Sequence, residues 1–412
     1  MVYVAILGHG VVGSGVAQVL LENADSITAK AGDAIRVKRV LDLREFPDSP
    51  LADRFTKNFD EILNDADIRI VVETMGGLHP AYDYVKASLL AGKSVVTSNK
   101  ELVAAKGDEL LDIAKQKNVN FLFEASVGGG IPILRPLDQC LAANHVHEIA
   151  GILNGTTNFM LTKMFEEGMG FEDALALAQK LGYAERDPSA DVGGHDTCRK
   201  ICILASLAFG KHVYPDQVYT EGIERISATD VVCASAFDRV IKLIGFVQKL
   251  EDGHLHCLVA PMLVSNESLL SGVKDVFNGI MVRGDVIGDV MFYGRGAGKL
   301  PTASAVVADV IDEVKHLENR KTVYWQGGEP DYVNNVDNAA CAVMLRFTAT
   351  NRAAAIEAVK AVWANATVLD EAKSPAGELV LITEKLNGAA LSDGIAKLNL
   401  GDPISSIRVA DL

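Results

Sequence analysis

The chain has 412 residues, 49% of them hydrophobic and 23% charged, with a formal net charge of −15. That length fits two or three domains of about 150 residues, and the composition is ordinary globular material able to bury sizeable cores. The acidic balance argues against nucleic acid or an anionic membrane as a partner, because phosphate contacts require clustered cations. No uninterrupted apolar run approaches the ~20 residues that span a bilayer, and the N-terminal stretch shows no basic leader of a secretory signal. Six cysteines lie scattered at 140, 198, 202, 233, 257 and 341, which fits reduced thiols in a cytoplasmic protein. His254, His256 and Cys257 fall on an expected strand, and no metal site is expected there.

Residues 2–7 form a continuous apolar run, as a central parallel strand covered on both faces would. The run leads into Gly8-His9-Gly10-Val11-Val12-Gly13 and a helical stretch over 11–23. Glycines at this spacing permit a tight turn and bring backbone N–H groups to a pyrophosphate at the helix N-terminus. A strand before and a helix after give the motif the context it needs for dinucleotide binding. The alternative is a glycine-rich turn in another α/β protein. The next strand, 35–41, ends in Asp42-Leu43-Arg44. An acid here suits the ribose hydroxyls of NAD and an arginine the 2′-phosphate of NADP, so the preference stays open.

Further α/β units are expected: strands over 68–72, 94–97 and 120–123, with helices over 79–91 and 106–117. Ligands collect beyond the carboxyl ends of such strands. The stretch from Glu73 through Thr74 to Gly77 and the stretch from Thr97 to Lys100 lie there. Lys100 stands where a nicotinamide and its substrate would meet, unless it is an ordinary surface lysine. The stretch from Glu124 to Pro132 is too glycine-rich for regular structure, and suits a carbonyl-lined cation site or a hinge.

In the middle of the chain, a strand over 147–153 is followed by a polar turn over 154–158, a helix over 159–167 and another over 171–181 that ends at Gly182. The segment 182–200 gathers Glu185, Asp187, Asp191 and Asp196 in a loop broken by Pro188, Gly193 and Gly194. Asp196 and Lys200 are four apart at the start of an apolar helical run, and so share one face. Such a loop suits a cationic amine and presents one lysine as a proton donor. It equally suits a solvated acidic loop capping a core helix. Helices to about 249, strands around 256–264, and a second glycine-rich helix start over 293–302 are expected beyond it. The last stretch reads β-α-β-β-α-β, the ferredoxin-like order, as a binding or regulatory module.

Together, the segments 8–13, 98–100, 124–133, 151–158, 182–200 and 294–307 closely resemble homoserine dehydrogenase, and the C-terminal piece resembles an ACT module. The resemblance implies an α/β fold. It has a Rossmann-type dinucleotide-binding domain (1–133 plus a returning helix at about 296–318) and an α+β substrate and dimerisation domain (134–295). A ferredoxin-like, ACT-like module (340–412) completes it. It also implies reduction of L-aspartate 4-semialdehyde to L-homoserine with NADP or NAD, in the route to threonine and methionine. Lys200 and Lys100 would then transfer the proton, Asp196 would support Lys200, and Glu185 and Asp191 would hold the substrate together with Lys100. Gly8, Gly10, Val11, Val12, Gly13, Asp42, Arg44, Thr74, Lys100, Gly182 and Gly298 would lie against the cofactor. The carbonyls of Glu124, Val127, Gly129 and Ile131 would bind Na⁺ or K⁺, and a homodimer or higher homo-oligomer is expected. Two features depart from the family. Asp42-Leu43-Arg44 reverses the usual basic-then-acidic order, and Thr350-Asn351-Arg352 replaces the Asp-x-Pro-Gly turn of the effector site. Another amino-acid dehydrogenase on the same fold, or a catalytically silent NAD(P)-binding sensor, are the competing readings.

Overall fold

The computed structural model describes residues 1–321 and 323–412. Val2–Leu7, apolar throughout, lies inside a six-stranded parallel sheet. The sheet runs Phe55–Thr56, Ile35–Leu41, Val2–Leu7, Ile68–Glu73, Ser94–Thr97 and Phe121–Leu122, the order 3-2-1-4-5-6 by chain position. The order reverses between Val2–Leu7 and Ile68–Glu73, so a crevice opens beyond Leu7 and Glu73. Helix Lys299–Lys315 returns to this sheet. Its Ala303, Val306, Val307 and Val310 share a core with Val16, Ala17 and Leu20 of helix Val11–Glu22.

The second sheet is mixed and has ten strands. Its middle is Val146–Ile152, Arg239–Lys249 and Leu255–Ser265, and a hairpin of Phe277–Gly284 and Gly288–Arg295 closes one end. Residues 239–249 are therefore a strand, where helices were expected. Alternation decides this: Ile241, Leu243 and Val247 enter one core while Val240, Ile244 and Phe246 meet another. Because both faces are covered, the apolar residues come in pairs along the sequence and imitate helical spacing. Gly245 lets helix His195–Phe209 approach this strand closely, since a Cβ there would lie 3.1 Å from Thr197 and 3.3 Å from Ile201.

The last part of the chain has the expected order: Val343–Thr348, Arg352–Val362, Thr367–Val368, Glu378–Ile382, Gly388–Leu398 and Ser405–Val409. Its four strands do not stand apart. Ser405–Val409 pairs in parallel with Leu255–Ser265, so the C-terminal strands continue the central sheet. Asn351 is extended (φ −122°) and its side chain accepts the Ala354 N–H, so it caps helix Arg352–Val362. Among the described residues no helix is long and apolar enough to cross a membrane.

Candidate active site

The dinucleotide turn is built by steric exclusion. Gly8 takes a positive φ of 90°. A Cβ on Gly13 would lie 1.9 Å from the Gly8 carbonyl oxygen, so the helix can begin this close to the strand only with glycine there. Thr74 donates its hydroxyl to the carbonyls of Leu7 (3.0 Å) and Gly8 (2.9 Å), pinning the turn from the neighbouring strand end. Gly10 is the N-cap of helix Val11–Glu22, and no side chain caps it. Gly298, with φ 125°, begins helix Lys299–Lys315 in the same uncapped way. The two helix starts are neighbours, because a Cβ on Gly15 would meet the Lys299 side chain at 3.0 Å. Exposed N–H groups at paired helix N-termini suit an anionic pyrophosphate. Val11 is exposed beside this turn, and Val12 is half-buried.

Asp42 follows the second strand and is held from both sides. One oxygen accepts the His9 backbone N–H at 2.7 Å. The carboxylate also takes Arg44 through Nε at 3.0 Å and Nη2 at 2.9 Å. The Arg44 guanidinium lowers the proton affinity of Asp42 well below the usual carboxylate range. Asp42 and Arg44 line one pocket with Phe46, Phe55 and Lys57. Lys57 belongs to this pocket and has no signal in the local sequence.

Lys100 begins a helix, Lys100–Lys117, six residues earlier than its periodicity suggests, because Asn99 caps it by accepting the Leu102 N–H at 3.1 Å. Asn154 caps helix Gly155–Glu167 similarly, so the polar turn expected over 154–158 is mostly the first turn of a helix. Asp196 opens helix His195–Phe209 and lies fully inside the protein. Its carboxylate meets Lys200 Nζ at 2.7 Å and Lys100 Nζ at 2.5 Å. Lys200 also donates to the Leu153 carbonyl at 2.7 Å. The Asn154 amide nitrogen donates to Asp191 at 2.7 Å and to Asp196 at 2.8 Å.

The electrostatics follow from this packing. Burial lowers the Lys200 pKa, with Lys100 acting in the same sense and Asp196 opposing. Burial works against the charge of Lys100 too, but Asp196 outweighs it and the net shift is upward. Burial would raise Asp196, yet the two lysines hold it ionised. Asp191 is raised by burial and by Asp196. The result is a preorganised site with two ammonium groups around one carboxylate and a second carboxylate alongside.

The remaining candidates are placed unequally. Gly182 takes φ 76° just after helix Phe171–Lys180. Glu185 is exposed, and among the described residues only its backbone carbonyl is engaged, by Gln179. Glu124 turns its carboxylate to the N–H groups of Ile133, Leu134 and Arg135 at 2.7–2.9 Å, so its side chain is committed to the chain itself. Val127, Gly129 and Ile131 are buried, and among the described residues no backbone N–H reaches their carbonyls. Buried carbonyls without donors are uncommon, and these three are suited to a cation.

Glu73 is a further candidate whose role the sequence did not reveal. Its buried carboxylate accepts the Met75 N–H at 2.7 Å and the Thr97 hydroxyl at 2.5 Å, tying the segment that follows strand Ile68–Glu73 to the segment before Lys100. Asn154 is another. Its motif was visible, but its contacts span separate helices.

Fold and site define an NAD(P)-dependent oxidoreductase of the Rossmann type. A family model described as homoserine dehydrogenase matches residues 132–311, and one described as homoserine dehydrogenase, NAD binding domain, matches residues 8–124. The chain belongs to the homoserine dehydrogenase family. It is 37% identical to the homoserine dehydrogenase of Pseudomonas aeruginosa, over 100% of this chain and 99% of that one. The crystal structure of a homoserine dehydrogenase from Thiobacillus denitrificans superposes with a TM-score of 0.88 at 34% identity, covering 100% of this chain and 98% of that one. A hyperthermophilic archaeal homoserine dehydrogenase in complex with NADPH gives a TM-score of 0.64 at 28% identity, covering 76% of this chain and 97% of that one.

Proposed function

We propose that this chain catalyses the reversible NAD(P)H-dependent reduction of L-aspartate 4-semialdehyde to L-homoserine, with Lys200 and Lys100 as its proton-transfer residues. The observation that carries the assignment is the convergence of both lysines on Asp196, at 2.7 and 2.5 Å, beside the carboxyl ends of the nucleotide-binding sheet. The dinucleotide, when bound, supplies the reducing equivalent. Reduction of the aldehyde leaves an alkoxide, which needs a fixed N–H⁺ donor. Lys200, its proton affinity lowered by burial, suits that transfer. Asp196 holds the lysines ionised and in place. Asp191 and Glu185 take the substrate's ammonium, and fixing both ends of the substrate orients the aldehyde. Gly8, Gly10, Val11, Val12, Gly13, Thr74, Gly182 and Gly298 line the dinucleotide path, and Asp42 and Arg44 sit at its ribose end.

Oxidation of homoserine, followed at 340 nm with NAD and with NADP, tests this reading. No absorbance change with either cofactor would overturn it.

The carbonyls of Glu124, Val127, Gly129 and Ile131 form a monovalent-cation site in this reading, supported by the missing donors at three of them. Na⁺ or K⁺, against tetramethylammonium, should then raise the melting temperature. The hairpin tip exposes Val286 and Ile287, which supports a homodimer or larger homo-oligomer. The enzyme would work in the cytoplasm. The C-terminal strands and helices act as an ACT-like module that supports folding or assembly and responds weakly to threonine, since the turn at Thr350-Asn351-Arg352 has neither proline nor glycine. A threonine titration of the full chain checks this: strong inhibition would overturn it.

A further inference from the structure

The mechanism above leaves Asn154 without a task, yet this side chain has the most fully used hydrogen-bonding capacity in the site. It is 5% exposed. Its amide oxygen accepts the Thr157 N–H at 2.8 Å and the Thr157 hydroxyl at 3.0 Å. Its amide nitrogen donates one hydrogen bond to Asp191 at 2.7 Å and one to Asp196 at 2.8 Å. An amide nitrogen carries two hydrogens, so both are spent on carboxylates. The oxygen end anchors the side chain to its own helix, and the nitrogen end bridges two acids that would otherwise repel.

We infer that Asn154 is a positioning residue that holds Asp191 ionised and aimed at the substrate's ammonium. Asp191 is half-buried, and Asn154 meets only its Oδ1. No donor among the described residues reaches Oδ2, which is left for an ammonium. The groups facing Asp191 are Asp196, which favours its protonation, and Lys200, Lys100 and Asn154, which oppose it. Asn154 is the only one of these that is neutral, and it is shared with Asp196. Its removal therefore both unfastens Asp191 and returns the charge of Asp196 to it. The proposal rests on the assignment of Asp191 to the substrate.

The test uses two substitutions that keep the cap on helix Gly155–Glu167, since serine and aspartate both accept at an N-cap. Asn154→Ser removes the two donors. Asn154→Asp removes them and adds a charge. Both should bind NAD(P)H with unchanged affinity by fluorescence, and Asn154→Ser should melt near the wild type. kcat/KM for homoserine should fall about 10- to 150-fold for each charge-assisted bond lost, mainly through KM. The acid limb of its pH profile should move to higher pH, further for Asn154→Asp. In an Asp191→Asn background the cost of Asn154→Ser should shrink to the share carried by its remaining bond to Asp196, because the partner through which it acts on the substrate is gone.

Equal costs in the two backgrounds, or an acid limb that does not move, would overturn the role of Asn154. So would loss of NAD(P)H binding or a large drop in the melting temperature of Asn154→Ser, which would assign Asn154 to folding alone. An Asp191→Asn variant with unchanged KM would instead overturn the assignment of Asp191. The two failures are thus distinguishable.

Discussion

The Lys100 ammonium lies 2.5 Å from the Asp196 carboxylate. Lys100 begins a helix of the nucleotide-binding sheet, whereas Asp196 begins the helix packed on the second sheet. The contact therefore joins the nucleotide-binding sheet to the helix on the second sheet, and in the proposed reading cofactor and substrate meet beside it. Asp196 already faces Lys200 one helical turn away, so one buried acid fixes two lysines.

Lys200→Met should abolish turnover while leaving NAD(P)H affinity nearly unchanged. Loss of a positioned general acid costs ~10²–10⁴-fold, and Lys200 contacts Asp196 and Leu153 rather than the cofactor turn. Steady-state rates beside fluorescence titration check this, and half the wild-type rate would rule the role out. Lys100→Met should lose a similar factor, with weaker cofactor binding as well.

Cofactor preference should follow the Asp42–Arg44 pair. Arg44 is tied to Asp42 by two side-chain hydrogen bonds, so its charge is only partly available to a 2′-phosphate. Asp42→Ser frees the guanidinium and should raise the NADP-to-NAD ratio of kcat/KM by about tenfold or more, since a hydrogen bond to a charged group contributes roughly 1.5–3 kcal/mol. Arg44→Ala should lower NADP use more than NAD use. A ratio that stays constant in both variants would show that the pair does not set the preference.

Arg346 should be the chief stabilising charge of the C-terminal strands. Buried on Val343–Thr348, it pairs with Asp230 at 2.7 Å and with both oxygens of Glu378 at 2.9 Å. Arg346→Ala leaves two acids uncompensated, and removing one partner of a buried ion pair costs about 3–5 kcal/mol. Urea unfolding of the two proteins measures the difference. A midpoint unchanged by the substitution would mean that solvent takes over the role of the guanidinium.

Glu313 should make stability depend on pH in the unusual direction. Burial pushes this carboxyl up to about 8, and among the described residues one of its oxygens has no hydrogen-bond partner. Folding then takes up a proton between the ordinary glutamate range and about pH 8. Stability is full below that window, falls as pH rises through it, and levels off above. Glu313→Gln should remove this component, so the difference in melting temperature between variant and wild type should change between about pH 5 and about pH 8 and stay constant above. Parallel curves would show that Glu313 is ionised in the fold throughout.

Much of this architecture was legible from the chain alone because it is set by neighbours in sequence. An apolar run ending in Gly8-His9-Gly10-Val11-Val12-Gly13 can only turn tightly, and Asp196 and Lys200 share a helix face by spacing. The C-terminal β-α-β-β-α-β order is likewise written in short local patterns. Other features depended on partners far away in sequence. Residues 239–249 became a strand because cores cover both of its faces, a condition that erases the alternation that marks a strand. Lys100 joined Asp196, Asn154 bridged Asp191 to Asp196, and Glu73 reached Thr97 only once the sheets and helices had docked. Sequence spacing governs which residues share a face, but distances between elements are settled by packing, and a catalytic charge cluster depends on those distances.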